Sequence, residues 1–170
     1  MEVFPKGISC SDWLNGRMVN KLNQEKYLRE ALKEAEKAYK KNEVPVGAVI
    51  VQDKKIIARA YNQTIKLNDP TAHAEILALR KAARKVGNYR LNDCQMYVTV
   101  EPCPMCAGAL IWARAKELIY GASDPKSGAC GSVINLFSEK KFNHHVKVTF
   151  GILEEDCRNL IQKFFRRRRY

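Results

Sequence analysis

The sequence predicts an α/β protein in which helices lie against a layered sheet of five strands. First, short runs rich in valine and isoleucine, typical of buried strands, alternate with longer stretches whose apolar residues recur at helical spacing. Second, this alternation is the pattern from which layered sheets with helical connections are built. A chain of 170 residues is long enough for one domain with a full core, and nothing indicates a second.

The first part of the chain predicts a helix followed by two strands. Residues Met1 to Asn20 show no sustained period and are expected to form a loosely docked arm. From Leu22 to Lys41, apolar residues recur at helical spacing among lysines and glutamates, which predicts an amphipathic helix. Val44 to Val51 is nearly continuous apolar sequence, as in a strand buried on both sides. After a turn at residues 53–55, Ile56 to Tyr61 predicts the second strand.

The remaining elements alternate between strands and helices. Asn62 to Pro70 is a polar loop, and a helix is predicted from about Thr71 to Gly87, where glycine and the preceding cations favour a helix end. The other predicted elements are a strand over Gln95 to Val100, a helix from Cys103 to around Lys116, a strand over Leu118 to Tyr120, a loop over Gly121 to Gly131, a strand over Val146 to Phe150 and a final helix over Leu153 to Phe165.

Two short segments hold residues suited to binding a metal. In Glu101-Pro102-Cys103-Pro104-Met105-Cys106, the two cysteines are three positions apart, so their thiols share one face of a first helical turn. Pro104 favours a helix start there, because proline is preferred at the first helical position. In Thr71-Ala72-His73-Ala74-Glu75, Thr71 is a good N-cap and places His73 in the first turn of another helix. Both helix starts are expected to meet at one edge of the sheet.

His73, Cys103 and Cys106 together offer three zinc ligands. Zinc held by three protein ligands keeps its fourth tetrahedral position for water, as in catalytic sites. On its own, His73 would be interpreted as a satisfied polar residue at a helix start. The alternative for the whole cluster is a closed structural zinc site, whose fourth ligand would be Cys10, Cys94, Cys130, Cys157, His144 or His145. Structural sites usually pair two Cys-x-x-Cys knuckles, whereas this chain has one, which favours the catalytic interpretation.

Glu75 favours catalysis over a purely structural metal. It is two residues from His73, and side chains two apart on a regular helix diverge, so Glu75 is not expected to be a fourth ligand. Its longer side chain could still reach the water molecule and move its proton. An unpaired carboxylate beside a buried metal is also costly to keep for structure alone.

Composition narrows the partner and the compartment. The formal charge of +12 indicates an anionic partner, with RNA, DNA and a membrane surface as candidates that charge alone does not separate. No apolar stretch approaches the ~20 residues needed to cross a bilayer, and the N-terminus lacks the apolar region of a secretory signal. A cytoplasmic, reducing compartment is therefore expected, in which the six cysteines are two metal ligands and four ordinary thiols.

The order of the motifs resembles a known family. His73-Ala74-Glu75 followed by Pro102-Cys103-Pro104-Met105-Cys106 resembles the signature H-x-E…P-C-x-x-C of zinc-dependent nucleoside and nucleobase deaminases. Further segments are similar, in the same order, to the bacterial tRNA-specific adenosine deaminases. These segments are Glu43 to Val49, Asn62, Asp69 to Glu75, Asn88 to Leu91 and Gly121 to Gly128. The resemblance runs from about Leu22 to the C-terminus, which predicts an N-terminal extension over residues 1–21 and a deaminase domain over residues 22–170.

The resemblance implies a three-layer α/β/α fold of the cytidine deaminase-like type, with a central five-stranded mixed sheet. It implies a homodimer with one zinc ion per chain that deaminates adenosine to inosine at the wobble position of a tRNA anticodon. The implied roles are catalysis by Glu75, zinc binding by His73, Cys103 and Cys106, nucleoside binding by Asn62 and the Ala74 peptide group, and binding of the anticodon stem-loop by the helix that carries Arg166, Arg167, Arg168 and Arg169.

Several alternatives stay open on the residues alone. Asn62 could be a turn-forming asparagine at a strand end, and the arginine run could be a solvated tail that Phe164 and Phe165 anchor. Trp112 could lie in the core as well as at a dimer interface. The same zinc chemistry would serve a deaminase of free guanine or cytosine, although a small uncharged base needs no basic tail. A zinc-stabilised RNA-binding module without catalysis is the alternative from another class.

Overall fold

The computed structural model describes residues 16–168, in which helices and strands alternate as predicted. The elements are helix α1 (Arg17–Lys40), strands β1 (Gly47–Gln52) and β2 (Lys55–Tyr61), helices α2 (Thr64–Leu67) and α3 (Ala74–Val86), strand β3 (Gln95–Val100), helix α4 (Pro104–Trp112), strand β4 (Glu117–Ala122), a short 3₁₀ helix (Leu136–Ser138), strand β5 (Lys147–Phe150) and helix α5 (Glu154–Arg167). None of the helices in this part of the chain is long and apolar enough to cross a bilayer.

The five strands form one mixed sheet in the order β2-β1-β3-β4-β5. Strand β1 runs antiparallel to both β2 and β3, whereas β3, β4 and β5 run parallel to one another. Because β3 and β4 are parallel, the segments that follow them both leave the sheet at the same end. This end carries the cysteine motif after β3 and the loop after β4.

Helices cover both faces of the sheet and create the expected three layers. On one face, α3 and α4 pack against Met96, Val98 and their neighbours in the sheet, and Leu110 of α4 is fully buried there. On the other face, α1 and α5 pack against alternate residues such as Tyr97. Strand β3 thus points successive side chains to opposite cores, as a strand buried on both faces must. The predicted fold class, including its five-stranded mixed sheet, is confirmed.

Two predicted helix starts were wrong. Helix α1 begins at Arg17, five residues before the predicted Leu22, with Gly16 in the left-handed region at its N-cap. Its first turns carry exposed side chains such as Val19, so no apolar period marks them in the sequence. Helix α3 begins at Ala74 because the Thr71 hydroxyl donates to Asp69 Oδ1 instead of capping the helix. The arm predicted over Met1 to Asn20 lies outside the described residues up to position 15, and the domain division at residue 21 stays a prediction.

Two further differences arise from features that local sequence does not carry. Helix α4 ends at Trp112 and not near Lys116, because Arg114 adopts a left-handed conformation (φ 53) and the Ala115 N–H donates back to the Leu110 carbonyl. The loop predicted from Asn62 to Pro70 contains the short helix α2. Buried Glu43, distant in sequence, accepts hydrogen bonds from the backbone N–H groups at its start.

Candidate active site

The three predicted metal ligands meet beyond the end of β3. Nδ1 of His73 lies 3.6 Å from Sγ of Cys103 and 3.5 Å from Sγ of Cys106. Tetrahedral zinc, with bonds of about 2.05 Å to nitrogen and about 2.3 Å to sulfur, requires a nitrogen–sulfur separation of about 3.6 Å. The ligand atoms of these residues all lie within 4.8 Å of one another, so the residues present fit a zinc ion.

Two helix starts present these ligands. Cys103 is the N-cap of α4 with Pro104 as the first helical residue, as the sequence predicted, and Cys106 follows one turn later on the same face. His73 is itself the N-cap of α3, and both N-cap residues have extended backbone conformations. Their side chains make no capping hydrogen bond within their helices and are therefore free to face one another. The positive ends of two helix dipoles meet here and favour thiolate over thiol.

The two thiols share one proton in the metal-free site. The hydrogen bond from Cys106 is the main cause that lowers the pKa of Cys103 to about 4, and His73 adds to it. The same hydrogen bond, together with burial, raises the pKa of Cys106 above its usual range. One thiolate is thus present before any metal binds, and a bound dication would favour deprotonation of the second.

Glu75 is a buried carboxylate with an unused oxygen. It is 3% exposed, and its Oε2 is a buried side-chain atom without a hydrogen-bond partner among the residues that the structure describes. Burial raises the pKa of Glu75 to about 7. Such a group can both accept and donate a proton near neutral pH. Glu75 does not belong to the three-residue ligand group, as the sequence analysis expected.

The described residues offer no fourth protein ligand to close the site. Cys94 is buried beside the start of β3, at the opposite end of the sheet, and the ring of His144 contacts the Ala115 carbonyl at 2.7 Å. Cys157 is buried in α5 on the other face. Neither His145 nor Cys130 belongs to the ligand group, and Cys10 lies outside the described residues. The geometry in this part of the chain is that of an open, catalytic type of site.

Asn62 and Ala74 are brought together beside the ligands. The buried side chain of Asn62 accepts a hydrogen bond of 2.7 Å through Oδ1 from the Ala74 N–H, the first amide of α3. None of the hydrogen bonds between described residues uses the side-chain nitrogen of Asn62. The Ala74 side chain is fully buried, and its peptide N–H is already occupied by this contact.

The arginine run is anchored as the sequence suggested. Phe164 is buried, whereas Phe165 is exposed and packs with its ring edge against Phe164. Arg166 is exposed and contacts Gln162. The exposed guanidinium groups of Arg167 and Arg168 lie over the rings of Tyr39 and Phe164, at 5.9 and 4.8 Å from the ring centroids. Arg169 lies outside the described residues.

A short chain of contacts links these arginines to the metal site. Arg168 donates to the Asn42 carbonyl at 3.0 Å, and the next residue, Glu43, accepts a hydrogen bond of 2.7 Å from the Lys66 N–H. Helix α2, which Glu43 holds in this way, follows directly after Asn62. The arginine end of α5 and the site therefore lie on neighbouring parts of the surface.

Sequence reasoning missed two buried carboxylates that flank the site. Glu43 and Glu101 are both buried, and both accept hydrogen bonds from backbone N–H groups of loops distant in sequence. The available signal was a glutamate beside a strongly apolar run, Val44 to Val51 for one and Gln95 to Val100 for the other. A charge at such a position needs a partner if it is buried.

Comparisons with known proteins agree with this geometry. Residues 22–169 match the family model of MafB19-like deaminases. The tRNA-specific adenosine deaminase of Haemophilus influenzae is 50% identical over 146 residues, 85% of this chain and 84% of that protein. The enzyme of the same name from Bacillus subtilis is 47% identical over 142 residues, 84% of this chain and 88% of that protein. A solved structure, described in a study of A-to-I editing by tRNA:A34 deaminases at the wobble position of transfer RNA, superposes with a TM-score of 0.77 at 45% identity, covering 79% of this chain and 97% of that one.

Proposed function

We propose that this chain, which belongs to the family of tRNA-specific adenosine deaminases, hydrolyses adenosine to inosine at the wobble position of a tRNA anticodon. The observation that carries the chemistry is the three-ligand group of His73, Cys103 and Cys106 beside the unpartnered oxygen of Glu75. A tRNA substrate also assigns the activity to the compartment that contains tRNA, here the cytoplasm.

His73, Cys103 and Cys106 hold the zinc ion. When bound, zinc supplies a Lewis acid that makes water a competent nucleophile at neutral pH. Glu75 takes a proton from the attacking water and delivers it to the ring nitrogen as oxygen adds to C6 of adenine. Glu75 then transfers the second proton to the amino group, which leaves as ammonia. Its pKa of about 7 suits a group that must gain and lose a proton in each cycle.

Asn62 and the arginine end of α5 act on the substrate. The amide nitrogen of Asn62 donates to the target nucleoside, while its oxygen continues to hold the Ala74 N–H. The Ala74 peptide group borders the base. The phosphates of the anticodon stem-loop are met by Arg166, Arg167 and Arg168, and we extend this role to Arg169. A guanidinium has five donors, so Arg168 can hold the Asn42 carbonyl and still bind a phosphate.

We also propose a homodimer, for which an apolar groove between α3 and α4 supplies the surface. Trp112 is 80% exposed, so it does not lie in the core of the chain, and Tyr89 is exposed beside it. Both residues line the groove together with Ile76, Leu79, Ala83, Leu91 and Ala109. Large exposed aromatic side chains around an apolar depression are typical of protein–protein interfaces. The groove begins at Ile76, next to Glu75, so a second copy there would lie near the site.

One incubation distinguishes the candidate functions. The zinc-loaded protein is mixed with an RNA stem-loop bearing adenosine at the wobble position, and separately with adenosine, guanine and cytosine. Digestion and mass spectrometry then detect inosine or the deaminated base. We expect inosine from the stem-loop and little product from the free compounds. Deamination of a free base alone would assign the chain to the small-molecule deaminases, and stem-loop binding without product would indicate an RNA-binding module.

A further inference from the structure

Glu101 is a buried carboxylate that the chemistry above does not use. It lies between the end of β3 and the ligand Cys103, and it is 3% exposed. Its Oε1 accepts hydrogen bonds from the N–H groups of Cys130 and Ser132, at 2.9 and 3.1 Å. Its Oε2 accepts from the Asp124 N–H at 2.9 Å and from the Ser132 hydroxyl. All of these donors belong to residues 123–134, which we call the site loop.

The arrangement requires a carboxylate. Each oxygen of Glu101 faces at least one backbone N–H group, and a backbone N–H can only donate. A carboxylate accepts at both oxygens, whereas a carboxamide would point its own donors at one of these N–H groups in either orientation. Glutamine, although of the same shape, would therefore leave buried donors unpaired, which costs more than the loss of an exposed hydrogen bond.

The site loop is fastened to the metal-binding segment through Glu101 and its neighbour. The Ala129 N–H donates to the Pro102 carbonyl at 2.8 Å, one residue before Cys103. Gly128 approaches the carboxylate so closely that a Cβ there would lie 2.4 Å from Glu101 Cδ. Most of the other hydrogen bonds of this segment, such as those from Val133 and Ile134 to the Gly128 carbonyl, stay within the loop. They shape the loop but do not attach it to the site.

The site loop lies beside the catalytic groups. Burial is the main cause that raises the pKa of the Cys130 thiol, and the charges of Glu101, Glu75 and Cys103 add to it. Cys130 is therefore close enough to Glu75 and Cys103 to feel their charges. The loop that Glu101 holds is thus a wall of the site and not a remote surface segment.

We propose that Glu101 is a positioning residue for deamination, whose carboxylate fixes the site loop as one wall of the substrate site. The inference rests on the proposed function for the nature of the substrate. Glu101 touches neither the ligand atoms nor the reacting base. It acts through the backbone of residues 124–132, and a small displacement of a wall that contacts the substrate can cost about 10²-fold in rate.

The test compares Glu101→Gln with Glu117→Gln. Glu117 is also buried, at 6% exposure, and accepts hydrogen bonds from Gln95 and Thr149. It begins β4 opposite Gln95, at the end of the sheet away from the site. Zinc content, amide hydrogen exchange of residues 123–134 and kcat/KM on the stem-loop are measured for the parent and both variants. We expect Glu101→Gln to keep its zinc, to exchange about 10-fold faster in the site loop, and to lose at least about 10-fold in kcat/KM. Glu117→Gln should leave both the loop exchange and kcat/KM at the parent values.

Three results would overturn the proposal. In the first, the site loop of Glu101→Gln exchanges as slowly as in the parent. In the second, the loop loosens but kcat/KM does not change, so its position is irrelevant to catalysis. In the third, zinc is lost together with activity, which would make Glu101 a support of Cys103 alone. A parent protein that deaminates no stem-loop refutes the proposed function before any variant is compared, and loop exchange with retained zinc still decides whether Glu101 fixes the loop.

Discussion

The side-chain oxygen of Asn62 lies 2.7 Å from the backbone nitrogen of Ala74 and accepts its hydrogen bond. The asparagine at the end of β2 thus satisfies the first amide of the helix that presents His73 and Glu75. In our proposal, the nitrogen of the same side chain holds the nucleoside. The two roles use different atoms, so a substitution can separate them.

Asn62→Asp and Asn62→Ala form the separating pair. Aspartate keeps an acceptor for the Ala74 N–H but has no amide donor, so we expect a free energy of unfolding near that of the parent and a KM for the stem-loop raised by about 10-fold. Alanine should lower the free energy of unfolding by about 1 kcal/mol as well, because the helix amide loses its partner. Chemical denaturation and steady-state kinetics measure the two effects. If Asn62→Asp matches the parent in KM, Asn62 is a structural cap only.

Removal of a single metal ligand should remove zinc and activity together. Cys103→Ala and His73→Ala each leave two of the three ligands, which is too few to hold zinc tightly. Metal analysis of the purified proteins, with the parent near one zinc per chain, checks this. Cys94→Ala is the matched control, since this buried thiol lies at the other end of β3. Full activity of metal-free parent protein under reducing conditions would contradict the zinc site.

Glu75 should be needed for turnover but not for folding or zinc binding. Its Oε2 makes no hydrogen bond within the described residues, so Glu75→Gln replaces a buried charge by a neutral group of the same shape without breaking a contact at that atom. We expect unchanged zinc content, an unfolding midpoint at or above that of the parent, and a rate at least ~10²-fold lower. A Glu75→Gln protein that deaminates the stem-loop at the parent rate would exclude the proton-transfer role.

The sequence was sufficient for the fold class and the ligand set because both depend on local patterns. Strand β3 was predicted with its observed bounds from a run of alternating burial, and Cys103 was placed at the helix entry because Pro104 can only begin a helix there. The positions that were wrong or missed depend on distant partners. Helix α2 is held by Glu43, some twenty residues upstream, and the loop after β4 is held by Glu101. No periodicity in those loops reveals such contacts.

The start of α3 shows the same limit within one motif. Thr71 is a good N-cap by residue type, but Asp69 takes its hydroxyl, and the helix begins only after His73. The shift puts His73 at the N-cap with an extended backbone. The ligand set was therefore predicted correctly, while the backbone conformation that orients the imidazole was not.

Trp112 provides a test of the proposed dimer. Trp112→Glu places a charge in the apolar groove between α3 and α4, and a buried unpaired charge is costly enough to prevent association. We expect the parent to sediment as a dimer and the variant as a monomer, with zinc content unchanged. Phe150→Glu is the control, since Phe150 is similarly exposed but lies on the edge strand β5. A monomeric parent, or a dimer that Phe150→Glu and not Trp112→Glu disrupts, would exclude this interface.

The arginine end of α5 should contribute to RNA affinity through phosphate contacts. Replacing Arg166, Arg167 and Arg168 by glutamine keeps part of the packing of their stems on Tyr39 and Phe164 while removing three charges. We expect weaker binding of the stem-loop and a log–log salt slope reduced by up to about 2 to 3, because each lost phosphate contact releases about one counterion fewer. Binding is measured from ~50 to ~200 mM salt.

The matched control for this variant removes the same charge from the other end of the sheet. Lys54 and Lys55 lie in the turn and strand after β1, and Lys116 precedes β4, all exposed and beside the strand ends farthest from the metal ligands. General electrostatic attraction to a chain with a net charge of +12 would weaken equally in both triple variants. Direct phosphate contacts predict that the arginine variant alone loses slope, with zinc content unchanged in both. Equal slopes for the two variants would show that α5 supplies charge to the surface but no site for the RNA backbone.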